Sequence, residues 1–399
     1  MTKISDLPRD LVATILSKVP LTCMRRVRFT CKRWNTISKD PSFAKMLIDK
    51  AAPRQLIMNS ETRVSLMSVK FTGEEDEFLK GIGKLTSLNS SDQVEISQVF
   101  HCNGLLLCVT KDKTRLVVWN PYLGQTRWIE PRNAFHKLDL YALGYDGKSF
   151  ENQKILRFID DIQSGVIEYE IFDLKSSSWK VLDVTPDWEM NSYQRGVTLK
   201  GNTYFFATDK IEDFGLVLAE EIKDFLICFD FTNERFGPRL PLPFHSYSGE
   251  TVALSSVREE QLAVLYQGDT CMMEIWVTNK IEPDAVSWNK VLFLQVDMVP
   301  HTGQDYVFAV DAGSFFIDEE KKMAVVFDKD QKEINDIAYF IGEKGYYKEV
   351  DLGYINGENN RQNQQVLDLT RRKPLVCSYS PSSVKIQQGA RGKRKERDY

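Results

Sequence analysis

The sequence predicts a small all-α module at the N-terminus followed by an all-β propeller of about six four-stranded blades. Three observations lead there. Prolines and apolar residues at helical spacing crowd the first fifty positions. Farther on, strands that end in an aromatic recur at intervals of 53, 57, 47 and 51 residues. The chain of 399 residues, 42% hydrophobic and 27% charged, also holds far more core than fifty residues can enclose.

Pro8 suits a first helical position, because its missing N–H would have no intrahelical partner there, and Pro20 stops that helix. Leu11, Val12, Ile15, Leu16 and Val19 fall on one face between them. Thr22 is placed to cap a second helix whose apolar positions Met24, Val27, Cys31, Trp34 and Ile37 follow spacings of three and four. Asp40-Pro41 supplies a cap and a first-turn proline for a third helix through Phe43, Met46 and Leu47. Three short helices bury little apolar surface, so the module must lean on a partner or a neighbouring domain. Its stripe reads as an interface; the plainer alternative is the core of a small helical cap.

The Leu7-Pro8 start, the Ile15-Leu16 and Val19-Pro20 end, and the set Arg25, Val27, Cys31 and Trp34 resemble the F-box over roughly residues 3–47. That resemblance implies docking on the Skp adaptor and, through it, on the cullin and RING subunits of a ubiquitin ligase. The adaptor-facing positions it implies are Leu7, Pro8, Leu11, Ile15, Leu16, Val19, Pro20, Val27, Cys31 and Trp34. Leu11, Ile15, Leu16 and Trp34 would be the anchors that dominate such an interface. Charge supports a rival: residues 1–50 carry eleven Lys/Arg against four Asp/Glu, and Arg25, Arg26, Arg28, Lys32 and Arg33 could line a phosphate backbone. No set of side chains at base-reading spacing accompanies them, so nucleic acid is the disfavoured partner and an acidic protein the ordinary one.

The body is read as a repeat. Its strands end at Trp119, Phe172, Phe229, Trp276 and Phe327, and a turn then leads to a second aromatic at Trp128, Trp179, Phe236 and Trp288. Ring contacts across that last hairpin would contribute about 0.5–1 kcal/mol each. The stretch 195–207 adds a preceding hairpin with Gly201-Asn202 as its tight turn. Four strands per period are the arithmetic of a propeller blade. Segments 55–70 and 336–360 are strand-like and available to close the ring from both ends. The segments Asn103-Gly104-Leu105-Leu106-Leu107-Cys108, Trp119-Asn120-Pro121 and Phe172-Asp173 with Trp179-Lys180-Val181 resemble the kelch-related domain found behind F-boxes in large plant families. The implied domains are 1–50, a propeller over 51–370, and a basic tail over 371–399 that is disordered at its end.

No catalytic or metal-ligating pattern emerges. The four histidines (101, 136, 245, 301) lack ligand spacing, and seven scattered cysteines form no C-x-x-C, which predicts buried, reduced thiols. Asp160-Asp161 and Glu220-Glu221 are adjacent carboxylates, which in a strand point to opposite faces. Gly81-Ile82-Gly83-Lys84-Leu85-Thr86 lacks the glycine and hydroxyl that a phosphate loop needs. Residues 72–98, with Glu74-Glu75-Asp76-Glu77, read as a solvated loop. No apolar run approaches the ~18 residues of a membrane span, so the expectation is an intracellular protein of the nucleus and/or cytoplasm.

Residues 371–399 hold nine basic and two acidic positions, with Lys393, Arg394, Lys395 and Arg397 as a nuclear-import candidate. Since the whole chain is net −4, removing both basic ends leaves 51–370 at −18, a body that prefers partners with positive surface. The expected function is the substrate-recognition subunit of an Skp-cullin-F-box ligase, without cofactor or catalytic group, binding an unknown protein through the propeller. The alternatives are an F-box scaffold without a ligase role, a propeller hydrolase, and a nucleic-acid-binding protein that uses its basic N-terminal helices.

Overall fold

The computed structural model describes residues 7–19, 21–50, 54–60, 63–69, 79–84, 94–112, 114–133, 138–148, 152–161, 166–190, 195–210, 222–247, 250–303, 307–308, 314–329, 335–352 and 375–387. Its helical module comprises α1 (Arg9–Leu16), α2 (Leu21–Thr30), α3 (Lys32–Ser38) and α4 (Pro41–Lys50). Pro8 flanks α1 rather than opening it, and its carbonyl accepts from the Val12 N–H. The helix expected from Thr22 through Ile37 is two helices, because Cys31 adopts an extended conformation (φ −152°, ψ 131°). No proline or glycine marks that break. It swings α3 so that Ile37 and Ser38 turn inward. Asp40 caps α4 as expected, its carboxylate accepting from the Ser42 N–H (2.9 Å) and hydroxyl (2.6 Å).

The body is a ring of antiparallel sheets. The first holds β1 (Arg54–Ser60), β2 (Arg63–Val69) and β3 (Leu79–Lys84), to which the chain returns at its end. Five further sheets are continuous in sequence. They are β4 (Ile96–Cys102), β5 (Leu105–Thr110), β6 (Leu116–Asn120) and β7 (Gln125–Ile129); then β8 (Leu140–Tyr145), β9 (Gln153–Asp161), β10 (Val166–Asp173) and β11 (Ser178–Val181). Next come β12 (Trp188–Glu189), β13 (Val197–Leu199), β14 (Asn202–Asp209), β15 (Asp224–Asp230), β16 (Arg235–Phe236) and β17 (Leu240–Pro241). A fourth group holds β18 (Thr251–Val257), β19 (Gln261–Gln267), β20 (Met272–Glu282), β21 (Ala285–Trp288) and β22 (Leu294–Asp297). The last has β23 (Ser314–Asp318), β24 (Met323–Lys329), β25 (Asp336–Gly342) and β26 (Tyr347–Asp351). Finally β27 (Leu375–Ser378) pairs with β1, Leu56 opposite Ser378, and completes the first sheet.

The first strands β4, β8, β13, β18, β23 and β27 touch one another in turn around the axis. Apolar clusters fill the gaps between neighbouring sheets: Leu107 and Val118 meet Leu143 and Ile155, for example, and Met67 and Val376 meet Phe340 at the closure. Each such side chain, wholly buried, contributes about 1.5–3 kcal/mol. Radial packing of this kind leaves only short, protected sheet edges.

Several expectations are corrected. The boundary at 370 falls short, since Leu375–Ser378 is a propeller strand and Tyr379–Gln387 continues as a strap across the ring. Segment 336–351 does not close the ring but forms the two outer strands of the last continuous sheet, and Phe327 lies on the second strand of its sheet where the other four anchors lie on the third. Ring-on-ring ties across the last hairpin exist in two sheets, Phe172–Trp179 (5.0 Å) and Phe229–Phe236 (4.9 Å). Elsewhere the register offsets them: Trp128 lies opposite Val117 and Trp288 opposite Thr278. The turn expected at Gly201-Asn202 sits one residue earlier, with Lys200 and Gly201 both at positive φ (51° and 88°). Within 72–98, Leu79–Lys84 and the start of β4 are strand rather than loop, while Glu74–Glu77 lie outside the described residues.

A buried ionic network stiffens the β8–β11 sheet. Arg157, 3% exposed in its side chain, is 2.7 Å from Glu170 and 3.0 Å from Asp139, both within 2% of complete burial. Burial alone would lower the guanidinium pKa, but these carboxylates outweigh it and raise the value. Replacing Arg157 by Met leaves the buried Glu170 with Arg132 (2.8 Å) and the buried Asp139 with the Tyr141 hydroxyl (3.1 Å), and is expected to cost about 3 kcal/mol, read by denaturant unfolding. An Asp139→Asn, Glu170→Gln, Arg157→Met triple variant should recover part of the loss. Thiol chemistry gives a second prediction: Cys102, Cys108, Cys228 and Cys271 are buried, Cys31 and Cys377 half-buried and Cys23 exposed. Burial pushes the Cys377 thiol up to about 12. Under native conditions a thiol reagent should modify Cys23 first and leave the four buried cysteines untouched until unfolding.

Candidate adaptor-docking site

Helix α1 carries two apolar stripes. Val12 and Leu16, one turn apart, are 1% and 0% exposed and pack with Met24, Ile37, Phe43 and Leu47. One position earlier, Leu11 and Ile15 are 47% and 42% exposed, and with Pro8 they form a second stripe at spacings of three and four. Residues this apolar in solvent on so small a module read as an unsatisfied contact surface.

The sequence-predicted positions therefore divide. Pro8, Leu11 and Ile15 lie outward. Leu7, Val19, Val27 and Trp34 are half-buried and lean on the module's own core, and Cys31 is half-buried at the α2–α3 break. Leu16, expected as an adaptor anchor, is inward and wholly buried. Pro20 lies outside the described residues, as do His136, Glu220-Glu221 and the import candidate Lys393, Arg394, Lys395 and Arg397. Sequence reasoning missed Phe29 on α2, which at 80% exposed adds a large apolar side chain to the module's surface. Its position between Arg28 and Thr30 could have flagged it, since no helical spacing ties it to the buried stripe.

Electrostatics holds the module in shape. Arg9 reaches Asp40 at 2.6 Å and joins the start of α1 to the start of α4. Hydrogen bonds from Ser42, then the one from Arg9, hold the Asp40 carboxyl below its ordinary range. Arg28, counted from sequence among the basic residues free for a phosphate backbone, is instead 7% exposed. Its Nε donates to the Ser38 hydroxyl (2.9 Å), one terminal nitrogen to the Ser38 carbonyl (3.1 Å) and the other to the Tyr122 carbonyl. The guanidinium also lies 4.6 Å from the centre of the Tyr122 ring. Tyr122, in the β6–β7 turn, is 1% exposed, donates its hydroxyl to the Ser38 carbonyl and belongs to the helical core. Burial raises its phenol to about 12, partly offset by Arg28.

The other chemical candidates resolve into structure. His101 is half-buried by surface but deep enough for desolvation to lower its pKa; its Nε2 accepts from the Gly104 N–H (3.0 Å). His245 Nδ1 meets Asp224 at 2.7 Å, and Ser246 donates to that same carboxylate (2.8 Å), so the serine is tied to the acid and not to the imidazole. His301 stacks on Tyr347 at 4.4 Å. Gly81 through Lys84 lie in β3, paired with β2 along an extended strand that cannot wrap a phosphate. Among the described residues no group of three potential metal ligands converges, and no helix is long and apolar enough to cross a membrane.

Comparison with known proteins matches two family models: an F-box domain over residues 4–46 and an F-box associated beta propeller domain over residues 55–386. A putative F-box protein of Arabidopsis thaliana is 58% identical, covering 100% of both chains. An F-box/kelch-repeat protein of the same plant is 52% identical over 97% of this chain and 100% of its own. An outward apolar stripe on an N-terminal helical module, a ring of antiparallel sheets behind it and full-length relatives at this identity agree: the chain belongs to the family of F-box proteins that carry an F-box-associated β-propeller.

Proposed function

We propose that this chain is the substrate-recognition subunit of an Skp-cullin-F-box ubiquitin ligase. The observation that carries the reading is the exposed Pro8, Leu11 and Ile15 stripe, separated by one helical position from the buried Val12 and Leu16. A partner that covers Leu11 and Ile15 gains about 1 kcal/mol from each half-exposed side chain, and the exposed basic residues Lys18, Arg26, Lys32 and Lys39 of the same module favour an acidic partner. Phe29, 80% exposed on α2, is a further apolar side chain of the module that a partner can cover.

The propeller supplies the client surface. In an antiparallel four-stranded sheet the first and third turns lie at one end and the second turn, with the links between sheets, at the other. The β4–β5 and β6–β7 turns face the helices, so the opposite end is left for the client. Catalysis then reduces to proximity: a client lysine held near the charged ubiquitin carrier reacts at a raised effective concentration, with no catalytic group from this chain.

The test is an adaptor-binding measurement on the full chain. A Leu11→Asp, Ile15→Asp variant whose circular dichroism matches the parent should bind purified Skp adaptor at least about 100-fold more weakly, since two carboxylates would have to be desolvated in the interface. Absence of adaptor binding by the parent chain would overturn the reading. Adaptor binding without cullin recruitment would replace it with a scaffold role.

A further inference from the structure

We propose that Arg28, Ser38 and Tyr122, together with the strap Tyr379–Gln387, are positioning residues that weld the F-box to the propeller in one orientation. The functional consequence rests on the ligase reading above; the weld itself does not. Three observations converge on it.

The first is the clasp. Arg28 and Ser38 come from α2 and α3, and Tyr122 comes from a propeller turn, yet their polar atoms satisfy one another inside the helical core. A buried guanidinium that is held by Ser38 through two donors and gives a third to a carbonyl of another domain fixes distance and angle together. The second is the turn that presents Tyr122. Asn120, 0% exposed, uses its Oδ1 to accept the Leu123 N–H (2.8 Å), and its Nδ2 donates to the Ser382 and Val384 carbonyls at 2.9 and 2.8 Å. One side chain thereby shapes the turn and holds the strap.

The third is the strap. Ile386 donates its N–H to Gln125 (3.1 Å) and buries its side chain between two sheets, and Arg127 donates to the Gln387 carbonyl (2.5 Å). Gly104, at φ +73°, lets the strap pass: a Cβ there would lie 2.3 Å from the Ser382 Cβ and 2.7 Å from the Ser380 carbonyl. Beyond the strap, Pro41 and Ala44 of α4 face Ser380 and Ser382 across a cavity of about 190 Å³. The F-box thus sits on a platform built by the β4–β5 turn, the β6–β7 turn and the C-terminal strap. The Asn103-Gly104 and Asn120-Pro121-Tyr122 sequences serve this platform and not client recognition.

The experiment uses the full chain bound to Skp adaptor, with spin labels on unnatural side chains at positions 23 and 269, and reads the distance distribution by pulsed electron resonance. Cys23 lies on α2, away from the α1 stripe in sequence, and Asp269 lies in the β19–β20 turn at the far end of the ring, both exposed. The parent should give one narrow distribution. Arg28→Met and Tyr122→Ala should broaden it at saturating adaptor, where the bound adaptor keeps the F-box folded and only its seating on the propeller is loosened. A chain ending at Ser378 should broaden likewise, whereas one ending at Gln387 should match the parent. A distribution as narrow as the parent's in Arg28→Met and Tyr122→Ala would overturn the proposal. So would loss of adaptor binding together with loss of helical circular dichroism, which would mark these residues as supports of F-box folding only. If the parent fails to bind adaptor, the ligase reading falls, and the same distances measured on the free chain still decide the weld.

Discussion

The turn from Asn120 to Gly124 is the constraint on which the seating of the helical module on the propeller depends. A tyrosine hydroxyl and a backbone carbonyl would each be costly to bury alone, at about 1–3 kcal/mol, and here they are buried together against Arg28 and Ser38. Two of the clasp's bonds, from Arg28 to the Tyr122 carbonyl and from the Tyr122 hydroxyl to the Ser38 carbonyl, form only when the helices are seated, so sliding or tilting the F-box breaks both at once. Apolar packing could be repacked after a small rotation, but a set of directional bonds has one solution. The short helical module, too small to enclose its own core, thereby borrows Tyr122 as a core residue.

This borrowing explains which apolar residues remain outside. Val12 and Leu16 are consumed by the shared core, and among the described residues no neighbour covers Leu11 and Ile15. The α-helix turns about 100° per residue, so a one-position shift moves a stripe from the core to the rim. Had the whole run from Leu11 to Val19 been buried, the module would have no apolar face to offer; had none been buried, it would not stay on the propeller. The division of one apolar run into a seated half and an offered half is what makes the module a connector.

Much of this was legible in the sequence, and the losses have physical causes. Pro8, Asp40-Pro41 and the aromatic strand ends are local signals, and they marked α1, α4 and the repeating strands correctly. The α2–α3 break at Cys31 has no local signal, because tertiary packing of Ile37 and Ser38 makes it. The phase of the last repeat slipped by one strand since Phe327, in a buried second strand, reads like the anchors of third strands, and both are continuous apolar runs. Arg28 was counted as surface charge because arginine rarely is fully buried, and nothing near it in sequence announces a partner 94 residues away. The strap was hidden by composition: its serines and its lysine resemble the basic end that follows, while the groups that hold it, Asn120, Gln125 and Arg127, lie some 260 residues upstream.

Ring closure ties these features to the order in which the chain is made. Strand β1 follows the F-box almost directly, yet its partner β27 arrives only after every other sheet, with Ile57 opposite Cys377. Bringing such distant segments together carries a loop-closure cost that must be met before the contact rewards it, which makes this pairing intrinsically late. The strap follows β27 immediately, so Asn120 acquires its Ser382 and Val384 acceptors at the same late stage. A partly made or C-terminally shortened chain can hold a folded F-box and several sheets, but its platform is incomplete. An F-box in its final orientation is consequently a report that the propeller behind it is whole, and the geometry between the exposed α1 stripe and the far end of the ring exists only in the finished protein.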